Sequence, residues 1–144
     1  MPLNENYVEL KFFDFPDHSE ITKILNLEPT SIWKRGDEYI FGDRPKGVKK
    51  IRENNYWEYR STMISNDWIG DQIKQFLERI ITPRKDVIRS LTDKYPAEFS
   101  IVQFMYDGCN PGLYFDKRAM STLNDSGLEL NIDLYVLNQE GDAK

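Results

Sequence analysis

Two periodicities run along this chain. Val8, Leu10 and Phe12 alternate with Glu9 and Lys11, the two-residue period of a strand with one face in a core. Leu128, Leu130, Ile132, Leu134 and Val136 alternate with Glu129, Asn131, Asp133 and Tyr135, the cleanest strand signal in the sequence. Residues 56–61 alternate more briefly, and residues 98–106 are apolar enough for a central strand. Residues 32–34 are expected to pair antiparallel with 56–61, with residues 38–41 lengthening the first of these strands. Leu113-Tyr114-Phe115 predicts another short strand.

Helical spacing fills the intervals. Ile21, Ile24 and Leu25 follow Asp17-His18-Ser19-Glu20, where Asp17 and Glu20 have the spacing of a capping box. Ile69, Ile73, Phe76, Leu77 and Ile80 mark one face of a longer helix, with Asn66 or Asp67 as its cap and Lys74, Glu78 and Arg79 opposite. Thr82-Pro83 predicts a second helix, capped by Thr82, with Val87, Ile88, Leu91 and Tyr95 inward. A single kinked helix is the alternative. Residues 116–126 predict a last helix with Ala119, Met120 and Leu123 inward, Asp116 as N-cap and Gly127 closing it. Residues 42–55 carry Gly and Pro breakers and predict a polar loop; residues 139–144 are a polar tail.

The order of elements implies an α+β domain: a two-layer structure with a mostly antiparallel or mixed sheet and helices on one face, ferredoxin-like or related. The 144 residues fit one domain, with an ordered core over about residues 7–137. A chain of this length buries roughly 68–70% of its unfolded surface, enough for a core without metal or disulfide support. No apolar run approaches the roughly 20 residues that cross a bilayer, and the first residues lack a secretory pattern. One cysteine, Cys109, and one histidine, His18, form neither an internal disulfide nor a His/Cys zinc site. A cytoplasmic protein without cofactor is the expectation. The net charge of −5 disfavours general nucleic-acid binding.

Leu25-Asn26-Leu27-Glu28-Pro29-Thr30, then Trp33, then Gly36-Asp37, are followed after a variable loop by Tyr56-Trp57-Glu58 and, near the C-terminus, by Asn131-Ile132-Asp133-Leu134-Tyr135. In this order and spacing they resemble the family called domain of unknown function 4279, over roughly residues 7–137. The long lysine-rich stretch 42–55 departs from its pattern. The resemblance implies a single bacterial domain and brings no substrate, cofactor or catalytic residue with it.

Two groups of residues are candidates for binding. Trp33, Asp37, Tyr56, Trp57 and Tyr59 combine aromatic rings with polar tips, as ligand and partner surfaces do; packing of the two Trp residues between sheet and helix is the plainer reading. Residues 34–52 hold seven bases against three acids, a local +4 that leaves −9 elsewhere. Within this stretch Arg44, Lys46, Lys49, Lys50 and Arg52 form a basic loop suited to an anionic ligand, or simply to a solvated hairpin tip. Asp107, Asp116, Asp133, Glu98 and Glu129 are scattered carboxylates with no demonstrated pairing. His18 lacks an orienting partner, and Cys109 lacks a base. No catalytic or metal motif is present.

The favoured function is therefore a non-catalytic binding or protein-interaction module, one form of which is an inhibitor or immunity-like protein that meets a basic active site with its acidic surface. The first alternative is a small-ligand binder or enzyme with a cleft near Trp33, Asp37 and Trp57. The second is nucleic-acid binding through residues 42–52. Monomer and homodimer are both open.

Overall fold

Strand β1 (Tyr7–Phe13) sends Val8, Leu10 and Phe12 to one side, and all three are fully buried. The computed structural model, which describes residues 6–42, 46–61, 68–108 and 112–138, builds two layers around this strand. The chain runs β1, α1 (His18–Leu25), β2 (Ser31–Trp33), β3 (Glu38–Phe41), β4 (Val48–Ile51), β5 (Tyr56–Arg60), α2 (Ile69–Phe76), α3 (Lys85–Thr92), β6 (Ala97–Tyr106), α4 (Lys117–Ser126) and β7 (Glu129–Leu137). The main sheet has the order β2-β5-β1-β6-β7. Its first four strands are antiparallel neighbours, and β7 lies parallel to β6. Leaving out the β3–β4 hairpin, β1-α1-β2-β5-α2/α3-β6 is the ferredoxin-like arrangement. The α4–β7 unit extends it by one strand.

One core joins the layers. Phe12 meets Trp57 edge-on at 5.8 Å between ring centroids, and the Trp57 indole N–H donates to Thr22 Oγ1 of α1 at 3.0 Å. Phe99 and Ile101 of β6 continue the floor. Ile21 and Leu25, Ile73 and Phe76, Ile88 and Leu91, and Leu123 come down from the four helices. Each stripe lies at the helical spacing the sequence shows, so burial of these faces, rather than helix propensity, holds elements of only eight to ten residues.

Several expectations change. Residues 69–92 form one irregular helical path: α2 passes into a wide π turn (Leu77–Ile81), then a 3-10 turn (Thr82–Arg84), then α3. Thr82 has helical angles, φ −56° and ψ −44°, so it does not cap a new helix. Pro83 lacks an N–H and crowds the carbonyl four residues back, and the widened turn just before it accommodates this. The stretch 42–55 is not simply a loop. It contains β4, which pairs with β3 in a separate two-stranded sheet, Phe41 against Val48 and Glu38 against Ile51. Leu113 to Phe115 make no strand. Met120 points outward, while Ala119 and Leu123 pack inward. At α1, Asp17 accepts from the Ser19 backbone N–H at 3.0 Å, but the Glu20 carboxylate accepts from the Tyr95 hydroxyl instead of turning back to close a capping box. The expected caps Asn66 and Asp67, the thiol Cys109 and the tail 139–144 lie outside the described residues.

Strand β7 alternates as read, yet its apolar side is open. Leu130, Ile132, Leu134 and Val136 are 43%, 37%, 52% and 68% exposed. Only Leu128, just before the strand, joins the core, because β7 is the outermost strand and the helix layer stops short of it.

Helix α4 ends as the sequence indicates. Gly127 has φ +73°, and its N–H closes on the Asn124 carbonyl. A Cβ here would stand 2.3 Å from Thr92 Oγ1, whose hydroxyl donates to the Ser126 carbonyl at 2.8 Å. Gly127→Ala combines left-handed strain with this collision. It should lower stability by about 1–3 kcal/mol, read as a lower urea midpoint at unchanged slope.

Candidate functional site

The face of the sheet away from the helices is ionic at its centre. The pairing of β1 with β5 sets Glu9 opposite Arg60 and Lys11 opposite Glu58. Glu9 and Glu58 are both buried, at 2% and 7% exposure. Arg60 bridges them, Nε to Glu9 at 3.1 Å and Nη2 to Glu58 at 3.3 Å, and Lys11 approaches Glu9 at 3.5 Å. The Tyr56 hydroxyl donates to Glu58 Oε1 at 2.5 Å, and the Arg60 guanidinium lies over the Tyr7 ring. Burial, followed by hydrogen bonding to Glu58 and its charge, raises Glu9 to about 7 against the pull of Lys11 and Arg60. Burial and the same acid push the Tyr56 hydroxyl up as well.

From Tyr56 a stacked ladder leads off the sheet. Tyr56 stacks on Trp33 of β2 at 3.9 Å. The Arg52 guanidinium lies 3.7 Å from the Trp33 ring and 3.7 Å from the Tyr39 ring of β3. A planar cation between two ring faces is a favourable arrangement, and here it ties the β3–β4 hairpin to the main sheet. The backbone closes the same junction: Arg52 N–H donates to Asp37 O, Gly36 N–H to Arg52 O, and the Asp37 carboxylate accepts from the Lys34 N–H. Beyond this junction the hairpin is exposed. Ile40, Phe41, Val48 and Ile51 stand 47–59% in water, Lys50 caps the Phe41 ring at 4.3 Å, and Lys49 pairs with Glu38 at the surface.

The sequence-derived candidates therefore fall into separate places. Trp33 and Tyr56 share the open face. Trp57, one residue on, is fully buried on the helix side, and Tyr59 packs there against Phe76. Asp37 is a turn residue. Trp33, Asp37 and Trp57 do not converge on a cleft: a small pocket of about 150 Å³ beside Trp33 is lined by Phe15, His18, Lys34 and Asn55, and by neither Asp37 nor Trp57. Of the basic group, Lys46, Lys49 and Lys50 are on the hairpin, Arg52 is in the ladder, and Arg44 lies outside the described residues. The scattered carboxylates remain apart from one another in role. Asp116 caps α4 through the Ala119 N–H, and Glu98 accepts from Asn131. The pair that does meet, Glu9 with Glu58, was legible only as two polar positions on two strands; the contact needs the β1–β5 register. A groove of about 400 Å³ runs between α2 and α4, rimmed by Trp68 and Tyr114 with Asp71, Glu78 and Arg118. Trp68 on this rim is 53% exposed. Among the described residues no group of His, Cys, Asp and Glu is arranged to hold a metal ion, and no helix is long and apolar enough to cross a membrane.

An antiparallel ferredoxin-like sheet with an added parallel strand and an offset hairpin is the class of domain defined here. The family model described as domain of unknown function (DUF4279) matches residues 4–137, and the chain belongs to that family. No curated protein and no solved structure matches it.

Two measurements probe this geometry. Glu9 holds its proton in the folded state up to about pH 7, while the unfolded carboxyl loses it near 4.5. The folded state therefore binds the extra proton between these values, and its stability falls as pH rises through them, by on the order of 2–3 kcal/mol. Urea unfolding at pH 5 and pH 8 should show this loss, and Glu9→Gln should flatten it. Arg52→Ala should cost about 1–2 kcal/mol and expose the hairpin to limited proteolysis. Arg52→Lys should restore only part of the protection, since an ammonium does not lie flat between two rings.

Proposed function

We propose that this chain is a non-catalytic protein-interaction module and that the β3–β4 hairpin is its docking arm. The observation that carries the reading is that both faces of the hairpin keep apolar side chains in water, Ile40 with Ile51 on one and Phe41 with Val48 on the other. Two-stranded hairpins are marginal in water on their own, and this one keeps Ile40, Phe41, Val48 and Ile51 largely in solvent. The ladder and the backbone bonds at its base tie it to the main sheet. Exposed apolar side chains ringed by charge mark partner surfaces. With Lys46, Lys49 and Lys50 around them, the arm suits a protein partner that offers an apolar pocket with an acidic rim. An inhibitor or immunity-like role is one form of this reading, with the acidic remainder of the chain supplying the second contact.

The nucleic-acid reading uses the same lysines. Two of the rings and one of the cations it would need, Trp33, Tyr39 and Arg52, are already stacked on one another. The cleft reading draws no support from the placement of Trp33, Asp37 and Trp57.

Photo-crosslinking from position 40 in the producing cells is the test. A discrete protein adduct is expected. It should disappear in Phe41→Ser/Val48→Ser and weaken at least tenfold in Lys49→Glu/Lys50→Glu, about 1.4 kcal/mol or more of binding, while circular dichroism stays unchanged. An adduct indifferent to both variants would sink the docking-arm reading. A salt-sensitive mobility shift with nucleic acid, lost in the lysine variant, would replace it with the nucleic-acid one.

A further inference from the structure

The two edges of the main sheet differ sharply. The β2 edge is three residues long, and the β7 edge is nine, Glu129–Leu137. Folded proteins blunt such edges with lysine, proline, bulges or short strands; β7 contains no Pro, Gly, Lys or Arg. Its free side can be assigned. The Phe104 N–H reaches the Asn6 side chain just ahead of β1, and the Asp107 N–H donates to the Leu137 carbonyl. Even-numbered residues of β6 thus turn their backbone groups to β1 and odd-numbered ones to β7. In β7 the odd-numbered residues answer β6, which leaves the N–H and C=O groups of Leu130, Ile132, Leu134 and Val136 directed away from the sheet. The side chains of these same four residues form the exposed apolar stripe.

We propose that β7 pairs antiparallel with β7 of a second copy of this chain, on a two-fold axis at Ile132. The strand is self-complementary about that residue. Ile132 meets Ile132, Leu130 meets Leu134, Asn131 meets Asp133, and Glu129 meets Tyr135. The strand carries two acids and no base, so a self-pair must keep its acids apart. The axis at Ile132 does so, whereas an axis at Asp133 sets that carboxylate against itself. Asn131 gives one amide hydrogen to Glu98 and has a second for Asp133 of the other copy. These two positions form a non-hydrogen-bonded pair, where facing side chains come closest. A foreign strand would need no such symmetry about one residue; a two-fold homodimer does. The result is a continuous ten-stranded sheet. This inference stands apart from the docking arm.

Light scattering on the full chain tests it. The expected mass is twice the 17.0 kDa of one chain, falling to one chain in Ile132→Lys, which opposes two ammonium groups at the axis, and remaining double in Phe41→Ser/Val48→Ser. Cysteine pairs fix the register without relying on that variant's folding. In Cys109→Ser/Ile132→Cys the two α-carbons lie about 5.5 Å apart, within disulfide reach, and oxidation should link the copies. In Cys109→Ser/Leu130→Cys they are roughly 13 Å apart along the strands and should stay unlinked. A monomer at millimolar concentration, a dimer that survives Ile132→Lys, or equal linking from both positions would overturn the proposal.

Discussion

Strand β1 lies in the middle of the sheet, and its two faces ask for different neighbours. One face, Val8, Leu10 and Phe12, is closed by all the helices, with Trp57 beside it. The other buries Glu9, and a buried carboxylate demands compensation. Arg60 from β5 and Lys11 from β1 itself supply it, against the charge of the neighbouring Glu58. The same pairing that sets Arg60 against Glu9 sets Trp57 against Phe12. A slip of one residue would send the apolar set to water and the ions into the core. The two chemistries therefore reinforce a single register, and β2, β6 and the helices are placed by that register.

The ionic face does not end at β5. Tyr56 belongs both to the acid pair, through its hydroxyl, and to the stacked ladder, through its ring. A change in the protonation of Glu9 therefore connects to Arg52 and the root of the hairpin through Glu58, Tyr56 and Trp33 in turn. The arm stands on the part of the sheet where burial and charge are most tightly balanced.

Most of the fold was readable because burial follows period. Strands β1, β5 and β6, the stripes on α1 and α2, and the Gly127 cap all follow from local sequence. The parts that were not readable depend on distant partners. Strand β4 was hidden among lysines because its mate is β3 rather than the core, so no face of it needs an apolar run. Thr82-Pro83 has the residues of a helix start, yet the flanking helices share one core and the chain stays helical through a widened turn. Trp33 and Trp57 are alike in sequence and stand on opposite faces, since Trp33 pairs with Tyr56 and shares its side. The acid pair at Glu9 and Glu58, 49 residues apart, needed the sheet order before it could be seen.

The unequal edges of the sheet bear on how this protein behaves at high concentration. Strand-to-strand polymerisation requires two receptive ends on every unit, one to be added to and one to add. Here the β2 end offers three residues and the β7 end nine. On the proposed pairing, association through the main sheet's edges would end after one step, as chain growth ends when each monomer has a single reactive group. A long apolar edge that would make a two-ended sheet prone to fibres would then be limited to pairs.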